Sequence, residues 1–127
     1  MSRILVIEGD PELRREYGRA LARAGDTVRT VSGAHEAVAA FAAERPDLVV
    51  LDAEGPAGDG LRCVERLFAV DRTVPIILNS TCRSYANDPL GWAVDAYLFK
   101  SPDTDELKAT VRNLLSKPRP ARMGGAS

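Results

Sequence analysis

The chain is predicted to fold as a doubly wound α/β domain, a five-stranded parallel sheet with helices on both faces. Three observations carry that expectation. Short apolar runs recur at Ile4–Ile7, Thr27–Val31, Leu48–Leu51, Val74–Leu78 and Ala96–Phe99, with helical periodicity between them and after the last. Most of these runs lack polar alternation, as strands covered on both sides do. One of them, Leu48-Val49-Val50-Leu51, stops abruptly on Asp52 and is followed by Pro56 and Asp59-Gly60. That places a carboxylate where the sheet's carboxyl edge meets a turn, the edge at which open α/β folds bind ligands.

The first run, Ile4-Leu5-Val6-Ile7, ends at Glu8-Gly9-Asp10. A helix is expected over Pro11–Ala24, with Asp10 as N-cap, Pro11 at the first helical position and Gly25 as stop. Leu13, Tyr17, Ala20, Leu21 and Ala24 share its inner face. Thr27-Val28-Arg29-Thr30-Val31 alternates polar and apolar residues, unlike the other runs, and belongs at an edge. The second helix, begun by Ser32 and closed before Pro46, carries Ala34, Ala37, Val38, Phe41 and Ala42. After the Asp52 strand, Leu61, Val64, Leu67 and Phe68 form the stripe of a third helix capped by Asp59. The pattern then weakens. Thr81–Asp88 is polar and ends Asn87-Asp88-Pro89, so a loop through about Asn87 and a short, irregular fourth helix near Pro89–Ala93 are expected. The last helix shows Leu107, Val111, Leu114 and Leu115, with Asp103 and Glu106 spaced as a capping box. An edge second strand gives the order 2-1-3-4-5, with its switch point between the first and third strands. Glu8-Gly9-Asp10 and Asp52 end those two strands, so acids converge where a ligand is expected.

At 127 residues there is sequence for one domain, assigned to residues 1–116, and an aperiodic segment, 117–127, that reads as a disordered tail, a linker or a cloning remnant. A net charge of −1 with 28% charged and 45% hydrophobic residues points to neither nucleic acid nor an acidic membrane surface. Cys63 and Cys82 have no metal-ligand spacing and make no disulfide framework. The first apolar run stops at acids, so it is neither a signal peptide nor a membrane span, and a cytoplasmic location is expected. Taken alone, Asp52 either caps the following turn or serves as a nucleophile or metal ligand.

Over roughly residues 3 to 116 the chain resembles the receiver domain of bacterial response regulators, a flavodoxin-like fold. Asp52 with Pro56 and Asp59-Gly60 looks like that family's phospho-acceptor strand and loop. Pro75-Ile76-Ile77-Leu78 leading to Ser80 resembles its hydroxyl-bearing fourth strand, and Tyr97-Leu98-Phe99-Lys100 its fifth, with a switch aromatic and a lysine. The resemblance implies a phosphoryl-accepting switch rather than a turnover enzyme, with at most slow self-phosphorylation and autodephosphorylation. A weak carboxylate nucleophile and several converging negative charges need a cation, and Mg²⁺ takes one or two carboxylates plus waters and phosphate. By resemblance the Mg²⁺ ligands are Glu8, Asp10, Asp52 and Glu54, the last through its backbone carbonyl and conceivably its side chain. Lys100 would then pair with phosphoryl oxygens, Ser80 would hydrogen-bond one of them, and Tyr97 would rotate to carry the change to the face of the fourth and fifth helices. A histidine kinase or phosphotransfer protein is the implied donor, and an effector domain or downstream protein the implied recipient.

Two departures stand out. Gly9 falls where the family carries the acid that contacts the metal, so Mg²⁺ binding is expected to be weak. Glu54 either supplies the missing charge or occupies the site as a phosphate mimic. Lys100 is followed by Ser101 and only then by Pro102, so the Lys100–Ser101 bond is expected to be trans, since a cis bond there would cost about 2.5–4 kcal/mol. A pseudo-receiver that binds partners without phosphorylation is the alternative. An aspartyl-nucleophile phosphatase fits less well, because Asp52-Ala53-Glu54 is not Asp-x-Asp. Asp59 reads as a cap before a ligand, and His35 as solvated. Arg14, Arg15, Arg19 and Arg23 read as an exposed helix face, the one with which the family meets its phosphodonor. Cys82 and Trp92 receive no role.

Overall fold

The computed structural model describes residues 1–54, 60–81, 94–101 and 103–119, and for Leu61 the backbone alone. Five strands, β1 (Arg3–Ile7), β2 (Thr27–Val31), β3 (Leu48–Asp52), β4 (Ile76–Ser80) and β5 (Ala96–Phe99), form one parallel sheet in the order β2-β1-β3-β4-β5. Four helices are described: α1 (Pro11–Arg23), α2 (Ala34–Glu44), α3 (Gly60–Val70) and α4 (Asp105–Leu115). The expected short helix near Pro89–Ala93, Pro56, Asp59, Cys82, Trp92 and most of the tail lie outside the described residues. Among the described residues no helix is long and apolar enough to cross a membrane.

Side-chain alternation divides the core. Leu5, Ile7, Val49, Leu51, Ile76 and Leu78 pack with Ala37 and Phe41 of α2 and with Val64 and Leu67 of α3. Ile4, Val6, Leu48, Val50, Ile77 and Leu98 pack on the opposite face with Tyr17 and Leu21 of α1 and Leu107 and Val111 of α4. The uninterrupted apolar runs arise from this double coverage. β2 pairs only with β1 and keeps Thr27, Arg29 and Thr30 exposed, so its alternating sequence marks the edge it occupies.

The helix ends refine the expectations. Asp10 caps α1 by accepting from the N–H groups of Glu12 and Leu13, and Gly25, at φ 99°, takes the left-handed turn after Ala24. α2 starts one residue later than expected, with Gly33 at the N-cap, while the Ser32 hydroxyl donates to Glu36 at 2.9 Å. Its buried third position is Ala40 and not Ala42, which faces solvent; Ala37, Ala40 and Phe41 together make the helical stripe. The capping box before α4 is also replaced. Thr104 holds the N-cap position, and Asp103 accepts from the Asp105 N–H at 2.9 Å instead of pairing with Glu106. No cis peptide occurs among the described residues, so Lys100–Ser101 is trans.

Two details tie the chain together. Arg119 reaches back to Asp47 at 3.4 Å, Asp71 at 3.3 Å, the Thr73 hydroxyl and the Pro46 carbonyl, all just ahead of β3 and β4 at the sheet's amino edge. At the other edge, Gly60 opens α3 against the end of β3. A Cβ there would overlap the backbone carbonyls of Asp52 and Ala53, so only glycine lets the helix approach this closely. Gly60→Ala is accordingly expected to destabilise the fold by about 1–3 kcal/mol, the usual range for an overpacked interior. Urea denaturation checks this, and a midpoint equal to that of the natural chain would refute it.

Candidate functional site

The site is built by extending three strand ladders. Ile7 is in register with Leu51, so Glu8 and Asp52, one residue further on each strand, come side by side. The Glu8 N–H is held by the Val31 carbonyl at 3.1 Å and the Ala53 N–H by the Asn79 carbonyl at 2.9 Å, while the Lys100 N–H bonds the Ser80 carbonyl at 2.9 Å. Alternation then sends Glu8, Asp52, Asn79 and Lys100 toward the face covered by α1 and α4. Ser80 follows Ile76 and Leu78 onto the other face, where Tyr97 also packs. The residues singled out in the sequence therefore fall into two groups on either side of the sheet's edge.

On the first side, Lys100 Nζ lies 2.8 Å from Asp52 Oδ1 and 3.2 Å from Glu8 Oε2. Glu8 retains 2% of its surface and Asp52 6%, so this is a nearly dry triad of two carboxylates and one ammonium. Burial alone would lower the Lys100 pKa, but the hydrogen bond it donates to Asp52 and the charges of Glu8 and Asp52 outweigh it and raise it. Burial is the largest influence on Glu8 and pushes its carboxyl up; the Asp52 charge adds to the rise, and the Asp10 N–H and Lys100 only partly oppose it. Glu8 Oε2 accepts from the Asp10 N–H at 3.1 Å, whereas Oε1 is buried with no hydrogen-bond partner among the described residues. Asp52 also accepts from the Glu54 N–H at 3.0 Å and the Gly9 N–H at 3.4 Å. It thus caps its turn and faces Lys100 at once.

The raised carboxyl of Glu8 has a consequence for stability. A group whose pKa rises on folding favours the folded state below its unfolded value, and that contribution is lost as pH climbs through the folded value. The glutamate at position 8 should therefore weaken the fold progressively above pH 4.5, its ordinary value. Glu8→Gln is expected to melt higher than the natural chain at pH 7 and to lose that advantage as the pH falls toward 4.5. Thermal melts across pH 3–8 check this; an equal or lower melting temperature at pH 7 would overturn it.

On the second side, Glu54 Oε1 accepts from the Thr81 N–H at 2.5 Å and from the Thr81 hydroxyl. Burial would raise the Glu54 carboxyl. The Thr81 hydroxyl and N–H, the Ser80 hydroxyl and the Lys100 charge instead hold it below its ordinary value. Its side chain is thus turned to the end of β4. Tyr97 meets Phe99 edge-on, ring centres 6.1 Å apart, and Phe99 is 44% exposed. Asp10, grouped with the metal acids by resemblance, is exposed and bound to the start of α1. Among the described residues no three His, Cys, Asp or Glu side chains gather as a ligand set.

Sequence reasoning missed three participants. Arg14 belongs only partly to the exposed face of α1, because its Nη1 donates to the Glu8 carbonyl at 3.0 Å. Asn79 donates to the Tyr17 hydroxyl at 2.8 Å in the core beneath the triad. The signal was available: a polar residue directly after Ile76-Ile77-Leu78 needs a buried partner, and Tyr17 is the one apolar-face residue of α1 with a hydroxyl. Burial, with the nearby Glu8 and Asp52 charges, raises the Tyr17 pKa despite the Asn79 bond. Thr81 gave no signal beyond adjacency to Ser80.

A family model for the response regulator receiver domain matches residues 4–112. The chain is 33% identical over 127 residues to the response regulator MprA of Mycolicibacterium vanbaalenii, covering 98% of this chain and 55% of that protein. It is 37% identical over 124 residues to the transcriptional regulatory protein TcrA of Mycobacterium tuberculosis, covering 93% of this chain and 49% of that one. The chain spans about half the length of these curated relatives. Among solved structures, the response regulator TrrA from Thermotoga maritima in complex with Mg²⁺-BeF superposes with a TM-score of 0.83 at 34% identity, over 89% of this chain and 98% of that one. A complex of the histidine kinase ThkA with TrrA gives 0.82 at 33% identity, over 92% of this chain and 100% of that one.

Proposed function

The chain belongs to the response regulator receiver family, a signalling domain of two-component systems, and from that premise we propose that it is switched by a phosphoryl group accepted on Asp52. The observation that carries this reading is the Lys100 ammonium 2.8 Å from a nearly buried Asp52 carboxylate at a strand end. An Asp52 oxygen attacks the phosphorus of a phosphohistidine or a small acyl phosphate; the new P–O bond forms as the bond to the donor breaks, and the donor leaves as an imidazole, protonated from water, or as a carboxylate anion. Lys100 then trades its contact with Asp52 for a phosphoryl oxygen and offsets the added charge. Ser80 donates to a second oxygen, and Tyr97 on the same face follows the movement of β4.

The donor set fits Mg²⁺ as a two-carboxylate site, because Glu8 Oε1 is buried with no hydrogen-bond partner among the described residues and Lys100 draws the Glu8 and Asp52 carboxylates together. Glu8, Asp52 and the backbone carbonyl of Glu54 would hold the ion, with Asp10 engaged at its cap. When bound, Mg²⁺ supplies positive charge for the phosphoryl oxygens. The proposed donor is a histidine kinase or phosphotransfer protein meeting α1, whose Arg15, Arg19 and Arg23 are exposed. The proposed recipient is an effector domain or a downstream protein.

Incubating the protein with acetyl phosphate and Mg²⁺ and recording the intact mass tests the proposal. One added phosphoryl group is expected, and none at any Mg²⁺ concentration would refute it. The second reading, a pseudo-receiver that signals without phosphorylation, is favoured by Gly9 and by the contacts of Glu54, and that negative result would select it.

A further inference from the structure

We infer that the Glu54 carboxylate is a built-in occupant of the anion position beside Ser80 and Thr81, and that it must be displaced before a phosphoryl group on Asp52 is held there. The inference rests on Asp52 as acceptor and concerns what that acceptor competes with. The Glu54 N–H bonds the Asp52 carboxylate, which turns the chain tightly after β3 and leaves the Glu54 side chain free to cross to the end of β4. There a backbone N–H and a hydroxyl of Thr81 converge on one carboxylate oxygen. The Ser80 hydroxyl and the Lys100 charge also favour the ionised form.

Main-chain N–H, hydroxyls and an ammonium are what a tetrahedral oxyanion recruits. Here a carboxylate from the same chain already recruits the N–H and the hydroxyl of Thr81. The residue is half-buried, and its second oxygen is covered with no hydrogen-bond partner among the described residues, so the carboxylate is held against the end of β4 by the Thr81 contacts. A solvated glutamate two residues beyond Asp52 would show neither feature. The held carboxylate opposes phosphorylation twice, by engaging the donors and by adding a negative charge where more are to arrive.

The test compares the natural protein with Glu54→Gln and Glu54→Ala at saturating Mg²⁺. Beryllofluoride, an analogue of the phosphoryl group, is titrated while the Thr81 and Ser80 amide resonances are followed, and the initial rate of labelling by acetyl phosphate is measured in parallel. Glu54→Ala is expected to raise beryllofluoride affinity and labelling rate by about tenfold, the scale of one hydrogen bond to a charged group. Glu54→Gln, which keeps the shape and loses the charge, should fall between. In the ligand-free proteins the Thr81 amide should shift on Glu54→Ala. Normal labelling of Asp52 with no gain in either variant overturns the inference and leaves the acceptor reading standing. Uptake of neither probe by any of the three proteins overturns the acceptor reading, and the competition falls with it.

Discussion

Exchange of Asp52 for asparagine is expected to abolish phosphoryl uptake from acetyl phosphate, to below detection by intact-mass measurement. Formation of an acyl phosphate needs a carboxylate nucleophile, and an amide is not one. The other acids nearby are poorly placed to substitute. Glu8 is covered by its own burial and held by the Asp10 N–H and Lys100. Asp10 caps α1, and Glu54 is bound to Thr81. Asparagine preserves the volume at the end of β3, and its carbonyl oxygen can still accept from the Glu54 N–H, so the turn should persist. Lys100 keeps Glu8 as a partner. Circular dichroism should therefore overlay that of the natural chain, and loss of label should reflect chemistry, not unfolding. A phosphoryl group retained by this variant would show that another residue is the acceptor.

Gly9→Asp is expected to tighten Mg²⁺ binding by about 10–100-fold, measured by calorimetric titration of the ligand-free protein. Glycine contributes no oxygen and no charge, which leaves two carboxylates around the pocket. Loss of even an outer partner of a metal ligand typically weakens binding by about that factor. Water replaces the missing oxygen in the octahedron of Mg²⁺ but does not neutralise its charge. Position 9 lies beside the acids, since the Gly9 N–H donates to Asp52 at 3.4 Å. Equal affinities for the two proteins would show that Glu8 and Asp52 suffice.

The sheet order and the positions of Asp52 and Lys100 were legible because they follow from runs and register. Uninterrupted apolar strands announced double coverage, one alternating strand announced an edge, and the order followed. The helix starts were less legible. Ser32 and Asp103 are good capping residues, yet each sits one position before the true cap, because short polar side chains bond locally in more than one way. The contacts of Glu54 could not be assigned from sequence: whether a glutamate two residues after Asp52 turns to a metal or to β4 depends on the backbone turn, which Asp52 itself ties. Tyr17 was placed correctly on the inner face of α1, but periodicity reports only which side a residue faces, and says nothing about the partner of its hydroxyl. The Glu8–Lys100 contact joins residues 92 positions apart and became visible only once the ladders fixed both strand ends.

The clasp made by Arg119 bears on how this domain can be handled as a sensor. Arg119 is gathered to Asp47 and Asp71 ahead of β3 and β4, whereas Asp52 closes β3 at its far end. A five-residue strand advances about 3.3 Å per residue, so roughly 17 Å of sheet separates the two. A biotin or fluorophore attached just beyond Arg119 would leave the molecule on the side away from the acids. Immobilised by that end on a chip, every copy would present the same edge of the sheet, the one that carries Asp52, to the solution.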